Sequence, residues 1–85
     1  MTDQEDDRLM PEKTLEWLQA EALRRCRHRL GCGHLEAVII GRTKPIGGGP
    51  NWEILAFKPE LHPAAENEAM EEIHRLRGTY ALKAR

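Results

Sequence analysis

Serine is absent from this 85-residue chain, and its three aspartates, Asp3, Asp6 and Asp7, all lie within the first seven positions. A Ser/His/Asp triad or an aspartate-rich calcium or magnesium site therefore has nothing to be built from in the body of the chain. Long apolar runs are missing as well. Ala37-Val38-Ile39-Ile40 is only four residues long, where a membrane-spanning helix needs about 20. The opening MTDQEDDRLM is acidic where a secretory signal would be basic and then apolar. The expectation is an acidic disordered tail over residues 1–9 on a cytoplasmic protein with no membrane partner. In that compartment Cys26 and Cys32, the two cysteines, stay free thiols.

What remains is ordinary for a globular protein: 40% hydrophobic and 32% charged residues. A chain this short supports one core, so residues 10–85 read as a single domain. The net charge of −1 hides an uneven distribution, since residues 8–44 carry eight Lys/Arg against four Glu.

Leu15, Leu18, Ala22, Cys26 and Leu30 recur at three and four residues, predicting a helix over 11–30 that opens on Pro11 and is closed by Gly31. Two β-rich stretches follow, 35–43 and 51–58, joined by the open loop KPIGGGPN. A second helix over 63–77 is acidic early and basic late, as the helix dipole favours, with Ala65, Ala69, Ile73 and Leu76 inward and Gly78 at its end. Residues 79–83 read as either a third strand or a further helical turn. The fold class is α+β: a small α-β-β-α domain, with an optional final β, in which two helices pack on an antiparallel hairpin sheet.

Both faces of that hairpin look apolar, but two helices cover one face only. Either Val38, Ile40, Leu55 and Phe57, or the alternate set containing Trp52, then lacks an internal partner. A third strand would widen the sheet and enlarge the open face. Trp17 lies about 200° around the first helix from Leu15, off the core stripe. It reads as an interface anchor or as packing against the tail or the 59–63 connection.

The segment RRCRHRLGCGH, residues 24–34, concentrates chemistry. Cys26, His28, Cys32 and His34 suit zinc by type. Their spacing matches no familiar zinc framework, and on a helix Cys26 and His28 point about 200° apart. Cys32, between two glycines, has His28 or His34 as a base but no orienting acid. Arg24, Arg25, Arg27 and Arg29, with Arg42 and Lys44 from the loop, would form a nucleic-acid surface, although cations also suit a helix C-terminus. The element order resembles double-stranded RNA-binding domains, but that family's third strand and lysine-rich second-helix start are absent, and glutamates stand at that start here. In PIGGGPNW the glycines precede a strand, whereas a phosphate cradle needs them to open a helix.

No nucleophile, base and acid converge in this pattern. The sequence therefore predicts a non-enzymatic protein-interaction module without cofactor or metal. It would be homodimeric through the sheet, using Trp17, Val38, Ile40, Leu55 and Phe57. Nucleic-acid binding through the six cations is the alternative.

Overall fold

The computed structural model describes residues 10–45, 47 and 49–84. The expected tail over 1–9 lies outside them. The elements are β1 (Glu12–Lys13), α1 (Leu15–Cys26), β2 (Ala37–Arg42), β3 (Trp52–Lys58), α2 (Pro63–Thr79) and β4 (Ala81–Leu82). The expected α+β class holds, with both helices packed on one side of an antiparallel β2–β3 hairpin.

α1 is shorter than its periodicity predicts, at both ends. It begins after Thr14, whose Oγ1 accepts a hydrogen bond from the Trp17 amide at 3.1 Å. A capping hydroxyl outcompetes Pro11 as a start signal because it satisfies an amide the helix itself leaves unpaired. The helix ends at Cys26, and the buried stripe ends with it: Leu18, Ala22 and Cys26 are fully buried, while Leu30 is 82% exposed. A run of tight turns follows, with the Arg29 amide donating to Cys26 and the Cys32 amide to Arg29. Gly31 does adopt the left-handed conformation (φ +81°), but inside this turn rather than as the helix cap. A Cβ there would lie 3.0 Å from Ala65 Cβ, so glycine is needed both for φ and for the close pass over α2. That pass delivers Cys32 and Leu35 to the core.

α2 opens on Pro63, which suits a first turn, and runs two residues past its expected end. Gly78 lies inside it. Ala65, Ala69, Ile73 and Leu76 face inward, and the two alanines admit the cysteine loop.

The chain ends are tied together. β4 does not widen the hairpin sheet as anticipated. It pairs in parallel with β1, in the register Glu12↔Ala81 and Lys13↔Leu82. Its other side is held by Asn51, whose carboxamide both accepts from the Leu82 amide and donates to the Leu82 carbonyl, at 2.9 Å each. This side chain imitates a neighbouring strand, so β4 is paired on both sides without joining β3. Trp52, fully buried, donates from Nε1 to the Tyr80 carbonyl at 3.0 Å and anchors the C-terminal segment to the core.

Candidate interaction surfaces

The hairpin register settles which residues face the helices. Val38 pairs with Phe57, Ile40 with Ile54 and Arg42 with Trp52, but between Ile39 and Ile40 the register shifts by one residue of β3. Leu55 is the extra residue of a β-bulge. Below the bulge Trp52 and Ile54 lie on the core side; above it Phe57 does. A strict alternation would have put Phe57 on the face opposite Trp52.

Of the expected interface residues, Val38 and Ile40 are therefore core, 2% and 4% exposed, and not on the free face. Phe57 is half-buried against the same core. Leu55 is the one that the structure leaves outside, 61% exposed. Trp17 packs within the chain, edge-on to Tyr80 with ring centroids 5.0 Å apart, and the Lys13 ammonium lies 4.7 Å from its ring centroid. This cluster fastens the β1–β4 pair to α1.

The free sheet face thus carries Ala37, Ile39 and Gly41 with their partners Lys58, Ala56 and Glu53, and the bulged Leu55. A Cβ at Gly41 would lie 2.7 Å from Leu55 Cδ1, so Leu55 lies down on bare backbone and forms a low apolar mound. Gly41 inside a strand pattern was the sequence signal for this close approach, and for the bulge, that the reading of the strands missed.

Three of the four arginines of the 24–34 segment, Arg24, Arg25 and Arg29, are engaged within the fold. Arg24 and Arg25 both bond Glu21. Arg29 reaches across to α2, where its guanidinium meets Glu71, Glu68 at 2.9 Å and Glu72 at 3.2 Å. Arg42 donates to the Lys83 carbonyl at 3.0 Å. Arg27 and Lys44 are exposed. The glutamates of α2 that disagreed with the RNA-binding pattern are in part the partners of Arg29.

Cys26, His28, Cys32 and His34 do not converge. Both thiols are fully buried and turned toward α2, Cys26 Sγ to the Ala69 carbonyl at 3.7 Å and Cys32 Sγ to the Ala65 carbonyl at 3.3 Å, while both histidines are exposed. Burial, reinforced by the neighbouring Cys32 and Glu72, pushes the Cys26 thiol up to about 12. Burial and then Glu68 raise Cys32. Such thiols are poor nucleophiles. Among the described residues no group of three or more His, Cys, Asp or Glu is placed to hold a metal ion, and no helix is long and apolar enough to cross a membrane.

Both long edges of the hairpin are met by helix side chains. On β2, the Ile40 amide donates to Gln19 Oε1 at 3.0 Å. On β3, Arg77 Nε donates to the Trp52 carbonyl at 2.8 Å. Beyond Arg77 a groove of about 620 Å³ runs between the β3 edge and α2. No protein-family model matches the chain, and no curated protein or solved structure matches it either.

Proposed function

We propose that the protein is a non-enzymatic interaction module that pairs with a second copy of itself through the free sheet face. The observation that carries this reading is the mound of Leu55 over Gly41, 61% exposed and flanked by Ile39 and Ala56. Large apolar side chains scattered singly need no explanation, but here one is set on a flat sheet face among small residues. Burying each such side chain contributes ~1.5–3 kcal/mol before the cost of association. Two copies supply two leucines and two isoleucines, which is the scale of a micromolar dimer.

The polar ends of the face support the same partner. Glu53 lies at one end of β3 and Lys58 at the other, both exposed and both paired to residues of the free face. A two-fold axis through the mound with strands antiparallel sets Glu53 of each copy against Lys58 of the other. Rim pairs of this kind contribute only ~0.2–1 kcal/mol each, so they orient the dimer rather than hold it.

Sedimentation equilibrium over 1–300 μM provides the test. The parent chain should associate, and Leu55→Asp or Ile39→Lys should be monomeric with an unchanged far-ultraviolet spectrum. Glu53→Lys should weaken the dimer several-fold, and the exchange Glu53→Lys/Lys58→Glu should restore it. A parent that stays at 9.7 kDa throughout would overturn the reading.

A further inference from the structure

The groove beside β3 adjoins the sheet face and shares Glu53, Leu55 and Ala56 with it, and it has the parts of a peptide site. Its floor is apolar, formed by Ile54 and Phe57 from the strand and Leu61 and Met70 from the connection and α2. Its rim is acidic: Glu53 at one end, Glu60 and Glu66 at the other, all exposed. The positive charge of the lining belongs to Arg77, whose Nε already donates to the Trp52 carbonyl.

The strand edge is open at one place. In an antiparallel pair, residues alternate between those that bond each other and those whose backbone groups point outward. The Ile40 amide turns away from β3 to Gln19, and the Trp52 carbonyl turns away from β2 to Arg77. Ile54, paired with Ile40 and two residues from Trp52, therefore directs its amide and carbonyl into the groove. Arg77 caps the edge on one side of Ile54, and the Leu55 bulge bends it on the other. What is left is a one-residue window of donor and acceptor above an apolar floor.

We infer that this groove binds an extended peptide segment carrying basic residues. The segment makes two backbone hydrogen bonds at Ile54, inserts an apolar side chain between Phe57 and Met70, and places a Lys or Arg between Glu60 and Glu66. Addition of a strand to an exposed edge, with alternate side chains filling pockets, is the physical basis of this recognition. Charge selects the occupant. The chain's own residues 1–9 carry Asp3, Glu5, Asp6 and Asp7 against Arg8 and would be repelled by the rim.

Fluorescence anisotropy with a fluorescein-labelled octapeptide KVKVKVKV tests this on the full chain. Binding should saturate, and the charge-reversed EVEVEVEV should not bind. Glu60→Lys/Glu66→Lys should weaken KVKVKVKV by at least about tenfold. Met70→Lys should abolish binding while circular dichroism and the melting temperature stay close to the parent. The same peptide N-methylated at alternate backbone amides should lose binding in one of its two methylation registers, because only one register faces Ile54. Ile39→Lys, whose position is not part of the groove lining, should bind the peptide at least as well as the parent, since a dimer through Leu55 would compete for the shared residues; loss of binding in this variant would overturn the inference. Equal binding of both peptides, no effect of either groove variant, indifference to N-methylation in both registers, or no binding at millimolar protein would each overturn the inference.

Discussion

Replacing Gly31 with alanine is the sharpest probe of the turn that joins α1 to the core. Two costs combine. The left-handed backbone at φ +81° costs an L-residue about 1–2 kcal/mol. The new methyl would lie 3.0 Å from Ala65 Cβ, and pushing α2 aside by a few tenths of an ångström adds roughly 1 kcal/mol. A total of about 2–3 kcal/mol corresponds to a fall in Tm of roughly 10–20 °C for a domain of this size. Two other glycines act as internal controls. Gly47→Ala, at φ +62° with nothing near the new methyl, should cost the backbone component alone, about 1–2 kcal/mol. Gly78→Ala, inside α2 with open space around it, should stabilise by up to ~0.5–1 kcal/mol because alanine loses less entropy in a helix. Thermal unfolding by circular dichroism, with urea titration to confirm an unchanged m-value, reads all three. The reasoning fails if Gly31→Ala melts within about 3 °C of the parent, or if the order Gly78→Ala, parent, Gly47→Ala, Gly31→Ala is not observed.

Two further outcomes follow from the cysteines and from Glu21. Folded protein at pH 8 should react with a disulfide reagent only as fast as it opens, since Cys26 is pushed up to about 12 by burial and both thiols are covered; both should react at once in urea, and reaction at free-thiol rate in the folded state would refute this placement. Glu21 is held down at about 2, from 4.5, by the hydrogen bond from Arg24 and then by Arg25, against the opposing effect of burial. Its folded value lies below its unfolded one, so its contribution is full above about pH 4.5 and is lost as pH falls toward 2. Glu21→Gln should lower the urea midpoint at pH 6 and converge with the parent near pH 2; a constant gap across that range would show that the ion pair is not its source.

The periodicity of Leu18, Ala22 and Cys26 located α1, yet Leu15 and Leu30, equally well spaced, are 37% and 82% exposed. Helical spacing says which residues share a face and not how far the opposing surface extends. The two apolar strand faces were legible, and so was the shortage of helices to cover them. The membership of each face was not, because one inserted residue at Leu55 exchanges every side chain beyond it. The arginines of residues 24–29 were visible as charge, but their acid partners include Glu68, Glu71 and Glu72 some forty positions away, and separations of that kind leave no local trace.

By itself, then, the sequence determined the α+β class, the two helices, the hairpin and the left-handed Gly31, because propensity, periodicity and residue chemistry act within a few positions. Tertiary structure alone decided the rest. It ended α1 at Cys26, paired β4 with β1 instead of the hairpin, turned Val38 and Ile40 inward, and left Leu55 and the Ile54 edge facing out. Each of these depends on a contact between segments distant in the chain, where the geometry of one surface selects among conformations that the local residues allow equally.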